Sequence, residues 1–234
     1  MNENGFREML RPSFNMVYAP EFTAVHDQHP SIIQDVCKAL ESHHNPVLQE
    51  WIDEKKKKPT RTYFSIQIPN QDGTNQKFFI KQTTSEVSQG GISEFKAGYE
   101  ASDLLKQKNV KGVRVVRYIF AYDDQIKRER YVVSEFNTVV SSRKMSDYLS
   151  LLYQKLSEAE SSSSNVRMCN ALREKERSIQ KRLGEIFEVL GEKFVDITPK
   201  NMSYDEEKDE IILYDINYNT PAKKAFDDVS DDEL

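Results

Sequence analysis

The apolar residues change period along the chain, and the changes mark its elements. From Thr62, apolar and polar positions alternate: TYFSIQI and KFFIKQ flank PNQDGTNQ, whose Asp72-Gly73 pair is a strong turn signal. That pattern predicts an antiparallel hairpin over Thr62–Gln82. The period becomes helical in GGISEFKAGYEASDLLKQKN, with Phe95, Tyr99, Leu104 and Leu105 on the inward face. VRVVRYIFAYDD and RERYVVSEF return to the strand pattern around a polar turn. Four strands and one intervening helix predict an α+β lobe.

Beyond Phe136 the helical period takes over. KMSDYLSLLYQKLSEAE sets Met145, Leu149, Leu152 and Leu156 on one face, and ESSSSN then interrupts as a solvated connector. A longer helix follows, with Met168, Leu172, Ile179, Leu183, Ile186 and Leu190 in its stripe and Gly191 as its stop. At the other end, the segment to about Gln28 reads as irregular. Pro30 and Ser31 then open a helix whose apolar face is Ile32, Ile33, Val36 and Leu40. His43 and His44 fall at its C-terminus, where they favour the helix dipole. The patterns divide the chain into an N-terminal extension with one helix (1–44), a sheet-rich lobe (45–137), a mostly helical lobe (138–225) and an acidic tail (226–234).

Charge and composition narrow the function classes. The 234 residues carry 33 basic and 38 acidic side chains, a net charge of −5, interleaved along most of the chain, so the overall field gives no reason to expect nucleic acid. Lys55–Lys58 reads as a solvated linker rather than a phosphate or lipid contact. Cys37 and Cys169 have no paired spacing, which argues against a disulfide scaffold or a zinc site. No signal peptide and no membrane span are visible, so a cytoplasmic protein is expected.

The candidate chemistry lies in FVDITPKNMSYDEEKDEIILYDIN, residues Phe194 to Asn217, where Asp196 and Asp215 each follow apolar residues and Asn201 stands five beyond the first. Carboxylate and amide oxygens are hard ligands for a divalent cation beside phosphates. A carboxylate can also orient an attacking hydroxyl and accept its proton. Turn capping is the plainer role for each residue alone, but it does not require all three behind such a lobe.

These residues resemble the protein-kinase-like fold, a small antiparallel-sheet lobe with one helix joined to a truncated, mostly helical lobe. DITPKN, Asp196 to Asn201, is similar to the catalytic loop D-x-x-x-x-N, and YDIN puts Asp215 where that family has D-F-G. FFIKQ places Lys81 as the strand lysine, and VVSEF resembles the hinge. The order holds from about residue 62 to 217. The tail end is most similar to the minimal kinases that pathogenic bacteria inject into host cells, of the OspG and NleH type.

The resemblance implies an ATP-dependent kinase transferring the γ-phosphate to a protein Ser or Thr hydroxyl. Asp196 would be the base, and Mg²⁺ or Mn²⁺ would be held by Asn201 and Asp215. Lys81 would grip the phosphates and Glu100 would orient it, with Glu94 and Asp103 as alternative partners. The backbone near Glu135, Phe136 and Asn137 would receive adenine. A bacterial effector of this kind would work in a host cell's cytosol.

Departures from the family keep other readings open. No glycine lies between Gly5 and Gly73 to form a phosphate-covering loop, Phe194 and Val195 replace His and Arg, and Asn217 replaces the glycine of D-F-G. The 17 residues after Asn217 leave no room for an A-P-E segment or peptide-docking helices. A pseudokinase binding module and, more remotely, an aminoglycoside- or choline-type small-molecule kinase are the alternatives. An activating protein partner, or residues 1–44 through Ile32, Val36 and Leu40, is expected to brace the lobes.

Overall fold

The computed structural model describes residues 7–10, 14–19, 61–69, 75–84, 90–124, 126, 128–136, 140, 144–161 and 166–219. The helix expected from Pro30, the lysine run, the Asp72-Gly73 turn, Asn137 and the acidic tail lie outside them. Among the described residues no helix is long and apolar enough to cross a membrane.

The protein is a mixed α+β structure. Among the described residues its largest sheet has six strands: β1 (Arg7–Leu10), β2 (Phe14–Tyr18), β3 (Arg61–Pro69), β4 (Asn75–Thr84), β6 (Tyr118–Asp124) and β7 (Glu129–Glu135). They run in the order β1-β2-β6-β7-β4-β3, with every neighbouring pair antiparallel. Two findings correct the four-strand expectation. Arg7–Leu10 and Phe14–Tyr18, expected to be irregular, are strands: β1 pairs with β2, and β2 pairs along β6. VRVVRYIFAYDD is not one strand: β5 (Val113–Val115) leaves the large sheet and pairs in parallel with β10 (Glu210–Leu213). The Val116 amide donates to the Leu213 carbonyl, so the chain crosses between sheets at Val116 and Arg117.

Helix α1 (Ile92–Gln107) packs on β5, β6 and β11 (Asn217–Tyr218). Phe95 and Leu105 are buried in it as the periodicity predicts, while Tyr99 and Leu104 are half-buried against the core. Gly98, in mid-helix, is required by its neighbour, because a Cβ there would lie 2.0 Å from Cε2 of Tyr118.

Helices α2 (Met145–Ser161) and α3 (Val166–Leu190) pack together, and β9 (Met202–Asp205) forms a hairpin with β10. In α3 the buried set includes Cys169 and Arg182, whereas Met168 is exposed. The expected stripe is therefore rotated at its N-terminal end. One continuous core joins Ile80, Phe95 and Phe120 to Met145, Ile186, Met202 and Ile212. Each such fully buried side chain contributes about 1.5–3 kcal/mol.

Candidate active site

Lys81 sits in the middle of β4, beside Tyr63 of β3 and Val132 of β7. The two-residue alternation of a strand sends Phe78 and Ile80 to one face and Lys81 and Thr83 to the other. Lys81 is 5% exposed, and a charge so enclosed needs partners. It has two. Its ammonium donates to Glu94 Oε2 at 2.6 Å and makes a second, shorter bond to Asp215 Oδ1.

Glu94 arrives there because of how α1 begins. Gly91 has φ 56°, and a Cβ on it would lie 2.0 Å from Asp123 Oδ1, so the helix start presses directly on β6. Asp123 accepts the Ile92 N–H at 3.3 Å, which satisfies one of the free amides of the first turn. Glu94, in that turn, is buried beneath Lys81. The expected partner, Glu100, does not reach it. Six residues of helix are about 9 Å of rise, and Glu100 instead pairs with Lys193, near the start of β8 (Phe194–Val195). Asp103 pairs with Lys106 on the helix surface. The signal that favours Glu94 was present in the sequence: a carboxylate in the first turn after a Gly-Gly start suits the helix dipole.

Asp196, Asn201 and Asp215 converge through two short ladders. β8 pairs with β11, setting Val195 opposite Asn217, and β9 pairs with β10, setting Met202 opposite Leu213. Asp196 follows the first pair and Asn201 precedes the second, so both flank the segment that carries Asp215. The Tyr214 amide donates to the Asn201 carbonyl at 3.1 Å, and the Asn201 amide nitrogen donates to the Asp196 carbonyl at 3.0 Å. Thr198 N–H also donates to Asp196 O, at 2.8 Å. Asp196 and Asp215 have φ of 65° and 56°, left-handed conformations that aspartate tolerates and that sharply redirect the chain. The Asp196 carboxylate is exposed and has no ion pair among the described residues.

Electrostatics set this cluster apart. Burial opposes the Lys81 charge, but attraction and hydrogen bonds from Glu94 and Asp215 raise its pKa above the ordinary lysine value. Two carboxylates on one ammonium leave a surplus negative charge. Below them lies the phenol of Tyr118, 3% exposed, whose pKa is pushed far up by burial and then by Glu94 and Asp215. The backbone amides of Asp215 and Ile216 face it, yet no hydrogen bond of good geometry reaches the oxygen. Asn217 Oδ1 is also buried without a partner. Nothing in the sequence marked Tyr118.

The expected hinge is already engaged. The Glu135 N–H donates to Arg117 O at 2.9 Å and the Phe136 N–H to Lys77 O at 3.3 Å. The Glu135 carboxylate pairs with Arg114 Nη1 at 2.5 Å, and Arg114 Nε reaches Glu210 at 2.9 Å, tying β7 to β10. Lys77 lies 4.0 Å over the Phe136 ring. Of the three residues expected to receive adenine, Glu135 and Phe136 therefore have no free amide to offer.

Among the described residues no group of three or more His, Cys, Asp and Glu side chains forms a metal cage. One carboxylate and one amide oxygen, Asp215 and Asn201, fit a cation whose other ligands are phosphate oxygens and water. Among the described residues, clefts lie against Leu105 and Val113 and around Arg182 and Asp209, away from Lys81. Converging charge marks the site. No protein-family model matches the chain, and no curated protein matches it.

Proposed function

We propose that the chain is an ATP-dependent phosphotransferase, a minimal protein kinase-like enzyme acting on Ser or Thr hydroxyls of a protein. The observation that supports it best is the junction of Lys81 from the sheet, Glu94 from the helix and Asp215 from the loop, with Asn201 and Asp196 beside it. In this reading Glu94, not Glu100, orients Lys81, and the ammonium holds the α and β phosphates. Asp196 accepts the proton of the acceptor hydroxyl as its oxygen bonds to the γ-phosphorus. The bond to the β–γ bridging oxygen breaks, and ADP leaves with that electron pair. A divalent cation on Asn201 and Asp215 supplies charge neutralisation on the phosphates, and the surplus negative charge of the site favours it.

A titration and a transfer assay test the proposal. A ligand of the native state raises its melting temperature, so ATP with Mg²⁺ should shift the thermal transition upward. Transfer of the labelled γ-phosphate to protein then distinguishes an enzyme from a binding module. A transition unmoved by ATP and Mg²⁺ removes the reading. The second reading, a pseudokinase, is favoured by the occupied amides of Glu135 and Phe136, which weaken the usual grip on adenine. Nucleotide binding without transfer would select it.

A further inference from the structure

Tyr118 and Asn217 each bring an unsatisfied group to the turn that carries Asp215. The Tyr118 ring is buried against Gly98, in a space that a single methyl would close, and its edge meets Phe95 with ring centres 6.3 Å apart. That packing sets the phenol against the amides of Asp215 and Ile216. Amides only donate here, so they offer the phenolic O–H no acceptor. Asn217 is the converse. Its Nδ2 donates to the Asp215 carbonyl at 3.4 Å, while its buried Oδ1 accepts from nothing. The other buried oxygens without a partner, those of Ser65, Thr83 and Ser203, stand within β3, β4 and β9 rather than in this turn. Asn217 also takes the place of the glycine of D-F-G, and glycine could supply no such acceptor.

A donor without an acceptor and an acceptor without a donor therefore meet at one turn, and a single bond between them would end the cost of both. A ligand drives such a closure only by binding the closed form better. Asp215 lies two residues before Asn217, so a ligand that grips Asp215 shifts the backbone on which Asn217 rides. We propose that Tyr118 and Asn217 are positioning residues whose mutual hydrogen bond is open in the free protein and closes when the site fills, holding Asp215 in place. This rests on the phosphotransferase reading for the identity of the ligand and adds how the proposed metal-binding aspartate is held.

Such a bond gives one substitution different effects on the free and the filled protein. Tyr118→Phe removes a hydroxyl that is unbonded in the free chain, so the urea midpoint should stay level or rise. The same variant should bind Mn²⁺ with the β,γ-imido analogue of ATP about two- to tenfold more weakly, the usual net contribution of one neutral hydrogen bond. Affinity is read from the ligand dependence of the thermal transition. Asn217→Ala should weaken binding too, and the double variant should bind no more weakly than Asn217→Ala alone, because either loss removes the same bond. A midpoint lowered by Tyr118→Phe means a hydroxyl already bonded in the free chain, to protein or to buried water, and overturns the proposal. Unchanged affinity overturns it as well, and so do losses that multiply in the double variant. Should Asn217→Ala fail to fold, Tyr118→Phe alone decides through the same midpoint and affinity. A native transition unmoved by Mn²⁺ and the analogue removes the phosphotransferase reading and the closure with it, whereas a native shift that Tyr118→Phe leaves intact removes the closure alone.

Discussion

Two ionic clusters lie at different places in the fold, and they differ in whether their charges balance. Around Arg182 of α3, the guanidinium bonds Asp209 O at 2.6 Å, Asp209 Oδ1 at 2.8 Å and Ser178 O at 3.4 Å. Tyr204 donates to Asp209, and Lys175 pairs with Glu206 at 3.1 Å while lying over the Tyr148 and Tyr204 rings. Opposite charges balance, and the cluster fixes the β9–β10 turn onto α3. Around Lys81 the charges do not balance, and the Tyr118 and Asn217 oxygens beside them have no partner. Unsatisfied buried groups cost about 1–3 kcal/mol each, and Ser65, Thr83 and Ser203 elsewhere in the fold share that cost. The uncompensated charge on Lys81's two carboxylates is what separates this cluster from the balanced one.

The comparison breaks most sharply on chemistry. Asp196→Ala should lower phosphotransfer by about 10²–10⁴-fold, the usual contribution of a positioned base, while leaving nucleotide binding in place. Asp215→Ala should weaken metal-dependent nucleotide binding itself, because a metal ligand acts already in the ground state. Radiolabel transfer and thermal shift read the two effects. Full transfer activity in both variants would return this cluster to the scaffold class.

On the scaffold side, Arg182→Ala removes a buried, fully bonded cation and strands its acceptors. It should lower unfolding free energy by about 3 kcal/mol, measured by urea denaturation. A loss confined to activity would invert the comparison.

Smaller again is the contrast between two glutamates on α1. Glu94→Gln loosens Lys81, and a misplaced catalytic group costs about 10²-fold in rate. Glu100→Gln weakens the half-exposed pair with Lys193 and the contact with Tyr218, away from Lys81, and should cost less than about 1 kcal/mol in stability. Equal losses of transfer activity would mean that Glu94 is not the orienting residue.

Gly98→Ala tests the packing beneath the site. Alanine in a helix interior is ordinarily worth up to about 1 kcal/mol over glycine, but here the added methyl meets the Tyr118 ring. The sign should reverse, to a loss of about 1–3 kcal/mol, and a smaller side chain at Tyr118 should recover part of it. Denaturation of the single and double variants measures both.

The smallest effect is on pH. Hydrogen bonds from the Tyr204 hydroxyl and Arg182 hold the Asp209 carboxyl below its ordinary value of 3.8. Its stabilising contribution is therefore present above that value and is lost as pH falls through the lower folded-state pKa. Asp209→Asn should flatten the acid limb of the melting-temperature profile. An unchanged limb would show that the Arg182 cluster does not depend on this charge.

Local signals made much of this molecule legible in the sequence. The hairpin was written in the alternation of TYFSIQI and KFFIKQ, and α2 and α3 in their helical period. Asp196 and Asp215 stand out because carboxylates rarely close apolar runs without a duty, and Asn201 by its place five residues beyond the first. Periodicity reports which face is buried, not what covers it, so it erred wherever distant chain segments supplied the cover. It reads Phe14–Tyr18 as irregular because that strand's pairing partner, β6, lies about a hundred residues away. It kept Val113–Val115 in the large sheet because nothing local reveals that β10 captures it.

Sequence by itself determined which residues could carry charge into the interior: Lys81 on an apolar strand, two glutamates on the helix, and the aspartates and asparagine of the loop. Tertiary structure alone decided which of them meet. Lys81 finds Glu94 because Gly91 lets the start of α1 press against Asp123, and it finds Asp215 because two short ladders turn that loop beneath the sheet. The fully buried phenol of Tyr118 fits only because Gly98 has no side chain. Local propensity acts over a few residues, whereas an ion pair between positions 81 and 215 depends on the whole core being packed, and that is why no sequence pattern could announce it.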